Sequence, residues 1–150
     1  MNMNAMADID NETHAYVKDV ALPKYTELAH FRILSKIGQN DRGITYLAHD
    51  KKSDKQVVIK ESLPFFCAFR DVNTLQVEAM GFDGAVQYYA HITKHFVRTA
   101  HALKRANHPN LVPVLEVFEA FGTAYYVMPY LNGQTLYHNA PAVVDEEWLK

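Results

Sequence analysis

Lys60 closes the apolar run Val57-Val58-Ile59-Lys60-Glu61, downstream of a turn whose glycines are Gly38 and Gly43. A lysine at the end of an apolar strand, behind a glycine turn, is a device for holding nucleotide phosphates. Glycine lets the backbone approach an anion, the N–H groups of the turn can point at it, and the ammonium supplies charge. Other reactive residue types are less organised. His91 and His95 lie four apart, a metal-pair spacing on a helix, but no third ligand is evident nearby and a solvated basic face is the expectation. Cys67 is the one cysteine. It allows no intrachain disulfide and reads as a small core residue.

The elements that must position Lys60 follow from residue patterning. Phe31 to Ile37, Ile44 to Ala48 and Gln56 to Lys60 are short runs rich in branched and aromatic residues, separated by Gly38–Gly43 and by Lys51-Lys52-Ser53-Asp54-Lys55. They predict an antiparallel meander of three strands. Leu111 to Phe118 and Thr123 to Met128 predict a second pair joined at Gly122. The stretch 67–79 is ambiguous and could form a small extra hairpin. One helix is predicted over about 83–106, with Phe96, Ala100 and Leu103 on a buried face that Val86, Tyr89 and Thr93 extend upstream. Thr99 is expected on that same face. Asn107-His108-Pro109-Asn110 ends the helix. Five antiparallel strands and one packed helix make an α+β layer.

Composition bounds the rest. A chain of 150 residues, 49% hydrophobic and 21% charged, suits one globular domain, and a net charge of −2 argues against general nucleic-acid binding. The N-terminus has no basic start and no apolar core of signal-peptide length, and no later stretch is long and apolar enough to span a bilayer. No membrane association is expected, and the cysteine usage fits a cytoplasmic location. Residues 1–30 read as an N-terminal arm, polar, acidic and aperiodic to about residue 22 and in part flexible. Residues 31–131 read as the folded lobe.

The stretch from about Phe31 to Leu136 resembles the small N-terminal lobe of eukaryotic-type protein kinases, in particular the bacterial serine/threonine group. Ile37-Gly38…Gly43-Ile44-Thr45-Tyr46-Leu47-Ala48 is similar to the glycine-rich loop and second strand. Val57-Val58-Ile59-Lys60 looks like the third-strand lysine motif, and Lys60-Glu61-Ser62-Leu63-Pro64 like an extension seen in the bacterial group. His108-Pro109-Asn110-Leu111-Val112 resembles the junction after the regulatory helix, and Val127-Met128-Pro129-Tyr130-Leu131-Asn132-Gly133 the gatekeeper and hinge. The resemblance implies that Lys60 contacts the α- and β-phosphates of ATP. It implies that Val58 and Leu131 sandwich the adenine, and that the Pro129 carbonyl and Leu131 N–H hydrogen-bond it. Met128 would be the gatekeeper. Ile37, Gly38, Asn40, Gly43 and Thr45 would complete the nucleotide site, with Mg present only alongside the nucleotide.

Three departures from the family pattern stand out. Asn40 takes the place of the loop's second glycine. Asp41 brings a negative charge towards a triphosphate, which Arg42 at the loop tip partly offsets. Thr99 falls where the family places the helix glutamate that pairs with the lysine, and no Asp or Glu occurs between Asp83 and Glu116. The helix carries His91, Lys94, His95, Arg98, His101, Lys104 and Arg105 instead.

The resemblance makes residues 132–150 a hinge and the start of a C-terminal lobe, with Asp145 capping its first helix. No catalytic residue is expected within the chain. The expected function is a half-kinase or pseudokinase interaction module with weak ATP contact. An N-terminal part of an active serine/threonine kinase, and a non-nucleotide scaffold or antitoxin-like binding protein, are the alternatives. Leu131, Leu136, Val143, Val144 and Trp148 are expected to leave an apolar surface for a homodimer or for a C-terminal lobe on a separate chain.

Overall fold

A computed structural model describes residues 20–106 and 108–131. The elements are β1 (Glu27–Leu28), β2 (Phe31–Asn40), β3 (Gly43–Asp50), β4 (Lys55–Ser62), β5 (Ala68–Arg70), β6 (Val77–Ala79), α1 (Ala85–Arg105), β7 (Glu116–Ala120) and β8 (Thr123–Pro129). The main sheet has six strands in the order β1-β2-β3-β4-β8-β7, and β5 pairs with β6 in a separate small sheet. Every pairing is antiparallel.

The α+β lobe with a meander, one helix and a second strand pair is the observed architecture. The sheet count differs: β1 adds a sixth strand, with Glu27 opposite Arg32 and Leu28 opposite Phe31. Two residues are too few for periodicity to reveal. The ambiguous stretch 67–79 does form a hairpin, and its turn is closed by the Asp71 carboxylate, which accepts the N–H groups of Asn73 and Thr74. Those bonds hold the Asp71 carboxyl below its ordinary range. The strand expected from Leu111 begins only at Glu116. Pro113 cannot donate to a ladder, and regular pairing follows the Leu115 N–H bond to the Val127 carbonyl.

The core lies on one face of the sheet. Ile44, Tyr46 and Ala48 of β3, Val57 and Ile59 of β4, and Tyr125 and Val127 of β8 alternate onto it, all buried. Strand geometry sends every second side chain to the same face. This face is covered by Val20, Leu22 and Leu28 and by Ala68 and Val77 of the β5–β6 hairpin, all at most 4% exposed. The described end of the N-terminal stretch is therefore a structural cover. Three buried aliphatic side chains at roughly 1.5–3 kcal/mol each hold it down.

Helix α1 packs mainly against β8 and β7. Ala85 and Ala100 are its buried residues, and Tyr89, Thr93, Phe96 and Leu103 are half-buried between them. Two expectations for this face are corrected. Val86 is 64% exposed, and Thr99 is exposed rather than inward-facing. Each helical residue advances by about 100°. A face centred on Ala85, Tyr89, Phe96 and Ala100 therefore carries both neighbours, Val86 and Thr99, to its flanks.

Candidate functional site

The face opposite the core presents the candidate nucleotide residues. In the strand register Gly38 opposes Thr45, Thr45 opposes Lys60, and Lys60 opposes Tyr126. One row over, Leu47 opposes Val58 and Val58 opposes Met128. Directly opposed residues share a face, so the ladder gathers Gly38, Thr45, Val58, Lys60 and Met128 into one patch across four strands. Leu47 and Tyr126 belong to the same patch and escaped the sequence reading; both are two residues from a recognised position, the spacing that returns a strand to one face. Ile37 sits at a register irregularity between Lys36 and Gly38 and is 51% exposed. Pro129 opposes Val57 of the core-facing row. Leu131, 61% exposed, lies past the end of β8.

The Lys60 ammonium stands 5.9 Å from the Tyr126 ring centroid, within reach of a cation–π contact. Phe96 of α1 packs on the same Tyr126 ring in a tilted pair, with centroids 5.0 Å apart. The helix residue that lines the cleft beside Lys60 is thus Phe96, and Thr99 lines a separate surface groove with His95 and Arg98. Among the described residues Lys60 makes no ion pair. A cleft of about 200 Å³ lies between Lys60, Thr45, Phe96, Tyr126 and the turn residues Asn40 and Arg42.

The turn itself is tied down. Asn40 opposes Gly43, leaving only Asp41 and Arg42 between the strands. The Asn40 side-chain oxygen accepts the N–H of Arg42 at 2.9 Å and that of Gly43 at 3.0 Å. These are donors a phosphate would use. The tip is further strapped to the chain after β4: the Leu63 N–H donates to the Arg42 carbonyl and the Phe65 N–H to the Asp41 carbonyl. Gly43 is required by this contact, because a Cβ there would lie 1.9 Å from the Glu61 carbonyl oxygen. Gly38 is under no such constraint; its nearest neighbour would be Thr45 at 3.6 Å.

Behind Lys60, on the core side, sits a second group that the sequence reading passed over. The buried Glu61 carboxylate accepts hydrogen bonds from Tyr46 at 2.9 Å, from Arg70 at 2.5 Å and from Tyr125 at 2.5 Å. Arg70 also donates to the carbonyls of Val20 and Leu75, and the Tyr46 hydroxyl accepts the Leu22 N–H. Burial, reinforced by the Glu61 charge, pushes both tyrosine hydroxyls well above their usual range. Burial alone would lower Arg70, but the charge and hydrogen bond of Glu61 outweigh it and raise it. The clue was available: alternation puts Glu61 in the row of Val57 and Ile59, where a carboxylate must find partners. The network clamps the N-terminal cover and the β5–β6 hairpin to the strand that carries Lys60.

No family model matches the sequence. The chain is similar to the serine/threonine-protein kinase PknD of Protochlamydia amoebophila, 26% identical over 106 residues, which is 71% of this chain and 9% of that kinase. It is 26% identical over 122 residues to PknD of Chlamydia muridarum, covering 81% of this chain and 11% of that kinase. Among solved structures, PpkA-294 in its apo form superposes with a TM-score of 0.74 at 30% identity, over 86% of this chain and 46% of that one. The Mycobacterium tuberculosis PknI kinase domain superposes with a TM-score of 0.55 at 19% identity, over 83% of this chain and 44% of that one. The chain thus spans about a tenth of the curated kinases it matches and under half of the solved kinase chains. Its relatives are bacterial serine/threonine protein kinases, and its fold is the N-terminal lobe of a protein kinase.

Proposed function

We propose that this chain is a pseudokinase-like N-lobe, an interaction or regulatory module that contacts ATP weakly and transfers no phosphate with its own residues. The observation that carries this reading is the surroundings of Lys60. Its ammonium faces an aromatic ring, and the adjoining helix supplies Phe96 to the cleft and, with no Asp or Glu between Asp83 and Glu116, no aligning carboxylate. The site fits a polyphosphate in part. Lys60 and Arg42 both line the cleft and supply positive charge, whereas the turn amides are already engaged by Asn40. ATP, when bound, supplies the polyphosphate and its Mg; the chain contributes Lys60 and the patch of Thr45, Leu47, Val58 and Met128 beneath the base.

Calorimetric titration with Mg-ATP tests this. Weak binding that Lys60→Met abolishes, with no autophosphorylation, is the expected outcome. Lys60-dependent phosphate incorporation by this chain alone would overturn it. A second reading, the N-terminal part of an active serine/threonine kinase, is favoured by the greater length of the relatives. It predicts phosphotransfer once the rest of a kinase domain is supplied.

The partner we propose is a second copy or a C-terminal lobe on another chain, seated at the hinge end of the sheet. Leu131 is exposed there, joined by Leu111, Val112, Leu115 and Tyr130, each more than 40% exposed. Leu136, Val143, Val144 and Trp148, expected in the same surface, lie outside the described residues.

A further inference from the structure

The outward side of α1 is unusual for a solvated helix. His91, Lys94, His95, Arg98, His101 and Arg105 recur three or four residues apart and are all exposed. They lie opposite the face that carries Ala85, Tyr89, Phe96 and Ala100. An exposed helix ordinarily intersperses acids with bases, so that neighbours one turn apart attract. Here no Asp or Glu occurs between Asp83 and Glu116. Among the described residues none of these six side chains enters an ion pair. Lys94 and Arg98, one turn apart, therefore repel one another without an acid to offset them, and the helix start offers no compensation: Gly84 provides no side-chain cap and the first turn has no acid.

The stripe is also shaped. Thr99 and Ala102, both small, line a shallow groove together with His95, Arg98, His101 and Arg105. From His91 to Arg105 the stripe runs about 21 Å, the length of some six residues of extended peptide.

We propose that this side of α1 is a docking surface for an acidic protein segment, a short Asp/Glu-rich stretch of another chain laid along the groove. It gives a partner class to the interaction role and stands whether or not the Lys60 cleft takes nucleotide. A protein segment matches better than a nucleic acid. The charge is confined to one narrow stripe on a chain of net charge −2, and the exposed rings beside it, Phe66 and Tyr88, pack on each other at its His91 end, next to Asp41, rather than being spaced along it for base stacking.

The probe is a fluorescein-labelled twelve-residue Glu/Asp-rich peptide, read by anisotropy at low and physiological salt on the full chain. A Gln/Asn peptide of the same length and oligo-dT serve as controls. The acidic peptide is expected to bind, the neutral one to bind at least tenfold more weakly, and Arg98→Glu/Arg105→Glu to lose at least tenfold for the acidic peptide. The charge-reversed variant should in turn gain affinity for a Lys-rich peptide. Arg98→Gln/Arg105→Gln gives the same comparison with a smaller perturbation, and circular dichroism confirms that both variants keep the helix. Equal binding by wild type and variants would overturn the proposal, as would oligo-dT binding as tight and as sensitive to the variants. Binding that emerges only after Asp8, Asp10 and Glu12 are neutralised would make the occupant the chain's own segment and overturn it equally. Unchanged Mg-ATP titration in these variants separates this surface from the nucleotide cleft.

Discussion

Asn40 illustrates how a single side chain can decide the state of a binding loop. Its amide oxygen occupies the Arg42 and Gly43 N–H groups, so an incoming phosphate must displace it before those donors become available. Asn40→Gly removes the competitor. Donors freed for a charged acceptor contribute on the order of 1.5 kcal/mol, so Mg-ATP affinity is expected to rise about tenfold by calorimetric titration; no gain would show that the loop amides play no part in binding. Glu61 is the other decisive residue. Glu61→Gln leaves the Arg70 guanidinium buried without its counter-charge, and breaking such a pair costs roughly 3–5 kcal/mol, readable as a fall in the urea midpoint. The paired tyrosines add a pH dependence. Their hydroxyls are raised in the folded state, so stability is held below the ordinary tyrosine pKa of about 10. Above it, stability declines, because the unfolded chain releases protons that the folded chain keeps. Tyr125→Phe should flatten that alkaline decline, and an unaltered slope would show that the buried network does not cause it. The motif residues around Lys60 were legible because strand alternation and glycine spacing are local. The Asn40 bonds and the Glu61–Arg70 contact were not, since they depend on tertiary closure across the turn and the β5–β6 hairpin.

At the scale of elements, the β2–β3 turn and the helix show opposite limits of sequence reading. Both glycines of the turn were recognised, but their reasons differ. Gly43→Ala would drive a Cβ into the Glu61 backbone at 1.9 Å, and neither strand can yield without giving up the pairing of Gly43 with Ser62. The variant is expected to lose about 3 kcal/mol, at the upper end of ordinary single substitutions. Gly38→Ala meets nothing closer than 3.6 Å and should stay within about 0.5 kcal/mol. Thermal melts of the two variants side by side make the comparison; equal losses would refute the strapped turn. The existence of α1 and its approximate ends were legible from apolar spacing, but its rotation was not. Periodicity set by Phe96, Ala100 and Leu103 put the flank residues Val86 and Thr99 on the buried face, whereas the packing of Phe96 on Tyr126 leaves both exposed. Thr99 therefore matters less to Lys60 than its place in the chain implied: Thr99→Glu puts a carboxylate in the outer groove, beside His95 and Arg98.

For the molecule as a whole, the two faces of the sheet are built to different ends. One is sealed by the N-terminal cover and the β5–β6 hairpin over a continuous core; the other carries the Lys60 patch, with α1 packed at one end. Leu115 bonds to Val127 and β7 opposes β8, so Leu111–Leu115 and Tyr130–Leu131 emerge at the same end of the sheet, away from the Gly122 turn. Five large apolar side chains, each 41–61% exposed, are thereby brought to one region. Monomeric proteins seldom leave a contiguous patch of that kind in water, and a second apolar surface is its natural cover. If a copy of this chain provides it, light scattering should give a mass that rises from one chain towards two with concentration. Leu131→Asp and Leu115→Asp should then shift the midpoint to higher concentration, because each charge would have to be buried without a partner. Neither side chain belongs to the sealed core, so the melting temperature measured at low concentration should be unchanged. A mass of one chain at every concentration, unaffected by either substitution, would remove the self-association reading and leave a separate C-terminal lobe as the partner to supply in a pull-down.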